Sequence, residues 1–250
     1  MRDETREELR RTILDFAESS LRRVEFSVEE LRRAFPFHAI FFPDEALLSF
    51  KMQRSLVTRM GMTLYPRLAV IVARDRYREV YRNYQISGMI EANRLSVIDR
   101  IVDELRSGRR RPDHVAEMRE IFSVAGGGFV EISVIADLYV GDFRPGPLFV
   151  EIKSPRPNLD VCAESKKKMF YFQALFRERR PSAYLAFPYN PFVYRERYDH
   201  GFTKQVMDMD REVLIGEEMW DKLGGRGTYE ELLEIAEEAR KIIRRKLKRK

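Results

Sequence analysis

The chain has little of what disulfide frameworks, zinc modules and histidine-rich metal centres require. Its 250 residues include one cysteine, Cys162, and three histidines, His38, His114 and His200. A single thiol excludes a disulfide framework and any paired-cysteine zinc or redox site. Three scattered imidazoles leave little material for a histidine-based metal centre. Function classes that depend on such sites are therefore not expected.

Long apolar segments are also lacking. No apolar run approaches the roughly 18 residues that a membrane-spanning helix needs, so the sequence predicts no membrane span. The first residues, MRDETREELRR, have no apolar core of the kind found in secretory signal peptides. We therefore expect a soluble protein of the cytoplasm.

Amides are scarce, whereas arginine is abundant. Asn and Gln together number eight, and 35 of the 46 basic residues are Arg; the 40 acidic residues leave a formal charge of +6. High charge with few thermolabile amides is typical of thermophile proteins. Arg is the side chain best shaped for bidentate contacts with phosphates and guanine edges. The composition therefore favours a nucleic-acid partner, and a hydrophobic content of 44% excludes general disorder.

The predicted elements are helical first and mixed afterwards. Helical spacing predicts the helices 3–23, 27–35, 45–60 (ended by Gly61), 66–75 and 76–107 (with Gly88 as a possible break). Strand patterns then predict the strands 129–140, 148–153, 182–188 and 212–216, with helices over 163–178 and from Thr228. We therefore predict an α/β fold with a single domain over 1–250, in which a helical N-terminal layer covers about 1–112 and the core about 126–250.

Two acids and an amine interrupt the first two predicted strands. These strands form a hairpin that places Asp137 on one strand and Glu151 and Lys153 on the next. Alternation puts Glu151 and Lys153 on one face and Ile152 on the opposite one. Because an unpaired buried charge costs several kcal/mol, such groups normally pair with each other or bind metal.

Both outcomes remain open from spacing alone. Asp137 and Glu151 supply the hard oxygen ligands that Mg²⁺ prefers, and the Ile152 carbonyl is placed to add a third. Lys153 would then orient or deprotonate a metal-bound water that attacks a phosphodiester. The alternative is a plain salt bridge between Lys153 and either acid, since Glu-x-Lys triplets are common.

The wider sequence around these residues resembles a known nuclease group. Asp137, thirteen intervening residues and then Glu151-Ile152-Lys153 resemble the D…(D/E)xK signature of the PD-(D/E)XK nuclease superfamily, although Ala136 stands where many members have Pro. Longer stretches are similar to type II restriction endonucleases of the TdeIII kind; they cover residues 49–69, 151–169, 184–192 and 212–225.

The resemblance implies a restriction endonuclease-like core, a mixed sheet flanked by helices. It also implies Mg²⁺, with Mn²⁺ as a substitute, and cleavage of double-stranded DNA at a short palindromic, G/C-rich site of GGNCC type. A homodimer and a separate cognate DNA methyltransferase would accompany such an activity. Glu45, at the start of a predicted helix, matches by position the extra acid that many of these enzymes add to the metal site. Its alternative role is that of a helix-start acid stabilised by the helix dipole.

Predicted DNA contacts fall in three segments after the catalytic strand. Pro155 and Pro157 stiffen the loop that carries Arg156 and Asn158, and an aromatic-rich stretch carries Arg195 and Arg197. By resemblance, the crossover helix faces the DNA backbone, and its candidates are Ser165, Lys166, Lys167 and Lys168. An ordinary solvated charge run is the alternative reading of the lysines.

Two other functions remain open at the level of the sequence. A structure-specific repair or junction nuclease would use the same catalytic signature but recognise DNA shape. A non-catalytic, basic nucleic-acid-binding protein would merely pair the hairpin acids with Lys153.

Overall fold

The structure is a computed structural model that describes residues 1–21 and 27–247. The chain divides into two compact units. The first, here called the helical unit, comprises Met1–Leu68 and Glu230–Lys250, and the second, the sheet unit, comprises Ala69–Tyr229. The single domain predicted over 1–250 stays a prediction.

Helices account for the regular structure described in the helical unit. Ser27 opens α2 with a capping box, because its hydroxyl accepts the Glu30 N–H at 3.1 Å and the Glu30 carboxylate accepts the Ser27 N–H at 3.2 Å. The predicted helix over 3–23 is described as far as Leu21, and residues 22–23 lie outside the described residues. The elements are α1 Asp3–Leu21, α2 Val28–Ala34, α3 Pro36–Phe41, α4 Asp44–Arg59, a π-helical turn Met60–Leu64, α5 Tyr65–Arg74 and α12 Thr228–Leu247, the last two shared with the sheet unit.

One prediction in this region is wrong. Gly61 does not end a helix, because α4 continues through the π-helical turn into α5. A glycine inside a helix costs only about 1 kcal/mol, which neighbouring turns can offset. The resulting helical run, Asp44–Arg74, has 31 residues and a mean hydropathy of 1.2 in its most apolar window, of which 44% is buried. By length and composition it would reach across a membrane, but core helices of soluble proteins pass the same test. The absence of a membrane span therefore stays a prediction.

The sheet unit is built on one five-stranded mixed sheet in the order β1-β2-β3-β4-β5. The first three strands are antiparallel neighbours, and β3, β4 and β5 run parallel. The strands are β1 Val80–Glu91, β2 Phe129–Val140, β3 Leu148–Ile152, β4 Ser182–Phe187 and β5 Val213–Ile215. The helices are α6 Ala92–Arg106, α7 His114–Ser123, α8 Leu159–Leu175, α9 Gly201–Val206, α10 Met209–Glu212 and α11 Glu217–Gly224. The predicted α/β class with a mixed sheet and flanking helices is confirmed.

The edge strand β1 contradicts the long helix predicted over 76–107. Its residues pair with β2 along nearly its whole length, from Val80 opposite Val140 to Glu91 opposite Phe129. This non-local pairing outweighs the helical spacing of the segment, as tertiary context commonly does. Gly88 is therefore a strand residue and not a helix break. A Cβ at this position would lie 2.8 Å from the Leu175 side chain of α8, so glycine permits the close packing of helix on strand.

Helix α8 is buried on two sides, which fixes it beside strands β2 and β3. Against the sheet, its Phe172 ring stacks on Phe149 of β3 with centroids 4.5 Å apart. On the other side, Phe170 packs into a second cluster with residues of α6 and α7. A fully buried Phe contributes roughly 1.5–3 kcal/mol, so both layers hold the helix firmly.

Candidate active site

Asp137 lies where β2 and β3 stop pairing. The ladder between the two strands begins at Leu138 opposite Val150. One residue earlier, Asp137 Oδ2 accepts the Ile152 N–H at 2.8 Å, so a side chain takes the place of the next backbone partner. On the β1 side, the ladder skips Asn83, which has a left-handed φ of 50°. The sheet is therefore irregular on both sides of Asp137, whose side chain is 24% exposed.

The Glu151 carboxylate is buried, yet its oxygens are not saturated with hydrogen bonds of normal geometry. Its side chain is 1% exposed. Oε2 lies 3.1 Å from Lys153 Nζ, and Oε1 contacts Lys168 Nζ. Neither oxygen accepts a hydrogen bond of normal geometry from any residue within 1–21 and 27–247. Since buried carboxylates usually have such bonds, these oxygens are available as ligands.

Lys153 Nζ lies between the two acids. It donates to Asp137 Oδ2 at 2.8 Å and lies 3.1 Å from Glu151 Oε2. The side chains of Glu151 and Lys153 thus share a face, as strand alternation predicts. Two carboxylate oxygens converge on one cationic atom, which is the arrangement of ligands around a metal ion. The salt bridge considered as an alternative is present, but the lysine contacts of Glu151 do not have normal hydrogen-bond geometry.

The surroundings raise the pKa values of both Glu151 and Lys153, but for different physical reasons. Burial raises the pKa of Glu151, the charge of Asp137 raises it further, and the two lysines only partly oppose this. Burial alone would lower the pKa of Lys153, but the charges of Glu151 and Asp137 outweigh it and raise that pKa. Lys153 is therefore a charged donor at neutral pH, which favours orienting a water over removing its proton.

A cavity of about 330 Å³ opens over Glu151 and Lys153. Its other wall is the first half of α8, whose lining side chains follow helical spacing. Buried, incompletely bonded carboxylate oxygens beside an open cavity are the hard donors that a small divalent cation requires. Asp137 and Glu151 therefore fit a metal ion. The lining residues from the α8 segment are Asn158, Asp160, Val161, Glu164, Ser165 and Lys168.

Lys168 has a contact in the site that sequence reasoning did not predict. It was predicted to contact DNA, whereas its ammonium contacts the Glu151 carboxylate and its side chain is 18% exposed. One signal was available in the sequence. Once Asn158 is accepted as the N-cap of α8, Val161, Ser165 and Lys168 fall on one helical face, the face toward the cavity.

The structure contradicts the role predicted for Lys166. It was expected to contact DNA, but its side chain is fully buried and donates to Glu117 at 2.6 Å and to Glu212 Oε1 at 2.7 Å. A lysine closed in this way cannot reach a phosphate in this structure. Ser165, with 1% exposure, is also buried, although it lines the catalytic cavity.

The Lys166 partners also form a metal-type group. Ligand atoms of His114, Glu117 and Glu212 lie within 4.8 Å of one another, and His114 Nδ1 is 3.0 Å from Glu212 Oε1. The Lys166 ammonium supplies the positive charge that a metal would otherwise bring. Burial alone would raise the pKa of Glu212, but the charges of Lys166 and His114 lower it. Lys166 and its three partners therefore form a closed ion-pair network.

The loop before α8 presents one free predicted DNA contact. Arg156 is exposed, with its guanidinium over the Phe192 ring at 4.9 Å from the centroid. Asn158 is exposed but caps α8, because its side-chain oxygen accepts the Val161 N–H at 2.8 Å. Arg156 thus remains a candidate for DNA, while Asn158 already has a structural role.

The two arginines predicted in the aromatic-rich stretch differ in whether they can reach DNA. Arg197 is exposed and lies over the Tyr194 ring at 4.9 Å, so it remains available. Arg195 is partly buried, donates to the Met209 carbonyl and lies 3.3 Å from a Glu218 oxygen. Those contacts hold Arg195 in the fold.

Two further candidates lie apart from the cavity lining. Lys167 pairs with Asp99 of α6 at 2.7 Å and is one-third exposed. Glu45 belongs to the helical unit, where it is exposed in the first turn of α4 beside the Arg32–Asp44 ion pair. The metal-site role of Glu45 stays a prediction.

Comparisons with known proteins identify one enzyme class. The family described as "Type II restriction endonuclease, HinfI" matches residues 1–240. The type II restriction enzyme HgiCII of Herpetosiphon aurantiacus is 33% identical over 209 residues, which cover 81% of this chain and 76% of the relative. The type II restriction enzyme MjaII of Methanocaldococcus jannaschii is 27% identical over 234 residues, covering 81% of this chain and 62% of the relative. No solved structure gives a significant match.

These matches confirm the expected relationship to type II restriction endonucleases, while the finer likeness to the TdeIII kind stays a prediction. The family match spans nearly the whole chain, and a relative above 30% identity covers most of it. This chain therefore belongs to the HinfI family of type II restriction endonucleases, the enzymes that cut DNA at specific sites.

Proposed function

We propose that this protein is a Mg²⁺-dependent restriction endonuclease that hydrolyses phosphodiester bonds of double-stranded DNA at a PD-(D/E)XK site. The observation that carries the proposal is the buried Glu151 carboxylate, which is bonded only through ion pairs without normal hydrogen-bond geometry and converges with Asp137 on Lys153. The mixed sheet, with its antiparallel hairpin followed by parallel strands, supports a restriction endonuclease-like core.

Each residue has a defined task in this mechanism. Asp137, Glu151 and the Ile152 carbonyl would hold the metal ion. When bound, Mg²⁺ supplies Lewis-acid stabilisation of phosphate charge and lowers the pKa of bound water. Lys153, charged and held between the acids, orients the water whose oxygen attacks phosphorus, and the bond from phosphorus to the leaving oxygen then breaks. Glu45 is proposed as a further acidic contributor, and Mn²⁺ as a substitute metal.

The target and partners follow from the sequence resemblance and from symmetry. We expect a short, G/C-rich palindromic site of GGNCC type, read with help from the exposed Arg156 and Arg197. One site cuts one strand, so a two-fold homodimer would match a palindrome and cut both. A separate DNA methyltransferase would protect the host site, and the protein would act in the cytoplasm.

Cleavage of plasmid DNA tests the proposal. With Mg²⁺ we expect discrete fragments, and sequencing of their ends gives the target. Asp137→Ala and Lys153→Ala should each lower the cleavage rate by at least about 100-fold, since both remove a group that acts at the reacting phosphate. Lys204→Ala should cut normally, because Lys204 is exposed and pairs only with the exposed Asp199.

The other outcomes identify the two alternative functions. A smear, or cleavage that depends on branches in the DNA, would indicate a structure-specific nuclease. DNA that stays intact across metals and pH, with binding that Asp137→Ala leaves unchanged, would indicate a non-catalytic binding protein.

A further inference from the structure

Helix α8 connects two groups of buried charge. Lys166 and Lys168 are two residues apart, so they project from nearly opposite sides of the helix. Lys166 enters the network with Glu117 and Glu212, in which every charge has a close partner. Lys168 points to the catalytic cavity and contacts Glu151. The closed network fixes the rotation of the helix and thereby the direction of Lys168.

The four charges in contact with one another around Glu151 cancel, while Asp160 and Glu164 add two acids to the cavity lining. Asp137 and Glu151 bring two negative charges, and Lys153 and Lys168 bring two positive ones within contact distance. A divalent cation among these groups would meet two ammonium ions. A divalent cation and an ammonium at contact distance repel each other strongly, because the Coulomb energy grows with the product of the charges and with closer approach. One ammonium must therefore leave before the cation can be held firmly.

The contacts indicate which lysine leaves. Lys153 is held by both acids, at 2.8 Å and 3.1 Å, and its backbone N–H, just after β3, donates to the Ala186 carbonyl of β4. Lys168 contacts one acid, Glu151, and reaches it on a flexible four-carbon stem from the helix. Since Lys168 lines the open cavity, its ammonium can swing away from Glu151 and remain in the space that a DNA phosphate would enter.

We propose that Lys168 is a counter-ion for Glu151 that the catalytic metal displaces and that then binds the phosphate of the bound DNA. This inference rests on the metal-dependent function proposed above. It assigns Lys168 two opposite effects, because the same charge hinders metal binding in the free enzyme and supports cleavage in the complex. A merely structural lysine would not separate these effects.

Metal titration and cleavage measured on the same full-length variants test the proposal. Calorimetry with Mn²⁺ alone, without DNA, should show binding to Lys168→Met about ten times tighter than to the wild type, which corresponds to about 1.4 kcal/mol. The cleavage rate of Lys168→Met at saturating metal should fall by about tenfold or more. Lys168→Arg keeps the charge and should keep the wild-type Mn²⁺ affinity.

The test has a matched control variant, and the failure of the proposed function gives a different result from the failure of the Lys168 proposal. Lys167→Met makes the same change one residue away, where the partner is Asp99, and should leave Mn²⁺ affinity unchanged. If wild-type protein neither binds Mn²⁺ nor cuts DNA, the proposed function fails. If wild type does both, and Lys168→Met binds Mn²⁺ equally or more weakly, the displacement of Lys168 is wrong. Lys168→Gln, read in the same way, replaces the methionine variant should that variant fail to fold.

Discussion

At the scale of single residues, the two lysines on opposite sides of α8 illustrate how burial decides the use of a charge. Lys166 has short contacts with two carboxylates, and each of those has a further polar partner, so nothing in the network is left to bind. Glu151 is equally buried, yet its oxygens lack hydrogen bonds. Burying a carboxylate without normal hydrogen bonds costs free energy, and such groups are expected where ligands bind.

Removal of the Lys166 charge should destabilise the fold. Lys166→Met removes the ammonium between Glu117 and Glu212, and breaking a buried ion pair in this way costs about 3–5 kcal/mol. Urea denaturation of the full chain should show this loss as a lower midpoint. Lys204→Met, on the surface, should change the free energy of unfolding by less than about 0.5 kcal/mol. A loss of similar size for both variants would mean that the network is not a stabilising one.

Cys162 should be chemically inert in the folded protein. Its side chain is fully buried, and burial raises the pKa of the thiol to about 11. Because the thiolate is the reactive form, raising the pKa lowers the reactive fraction at any pH below 11. Iodoacetamide at pH about 8 should leave the folded chain unmodified by mass spectrometry and label it once after denaturation. Rapid labelling without denaturant would contradict the packing of α8.

At the scale of elements, the sequence predicted what local pattern determines. β2, β3, β4 and β5 were predicted close to their observed positions, because their apolar runs, rich in β-branched or aromatic residues, are bounded by turn residues. β1 was missed since its residues also fit helical spacing, and only pairing with β2 selects the strand.

The geometry of the proposed catalytic site was predictable to a similar degree. Asp137, Glu151 and Lys153 follow from strand pairing and alternation. The Lys168 contact and the burial of Lys166 depend on which face of α8 meets the sheet, and a cluster of three consecutive lysines does not specify that face.

The turn between β2 and β3 gives a prediction at this scale. A Cβ at Gly146 would overlap the backbone carbonyl oxygens of Arg179 and Arg180, which lie in the loop before β4. Gly146→Ala should therefore push two loops apart and lower the free energy of unfolding by about 1–3 kcal/mol, measured by thermal or urea denaturation. Gly61→Ala is the comparison, because a Cβ there meets nothing within 4 Å and helix interiors favour alanine. Equal stability of the two variants would mean that the turn packs differently.

At the scale of the whole molecule, net charge conceals how charges are arranged. The formal charge of +6 is small for a chain with 46 basic residues, because acids occupy the proposed metal site and close ion pairs such as the Lys166 network. Exposed arginines such as Arg156 and Arg197 remain for DNA. The thermophile origin suggested by composition stays a prediction, since none of these contacts sets a working temperature.

The proposed homodimer makes the last prediction. If each protomer cuts one strand of a palindrome, an active protomer paired with an Asp137→Ala protomer should nick one strand only. Wild-type protein refolded together with an excess of Asp137→Ala protein should therefore convert supercoiled plasmid to nicked circles that accumulate before linear DNA, as gel electrophoresis would show. Wild-type protein mixed with the variant without refolding is the control, because its dimers stay intact and should give linear DNA directly. Linear product without accumulated nicks in the co-refolded sample would mean that one protomer cuts both strands, and the symmetry argument from the palindrome would then not apply to this enzyme.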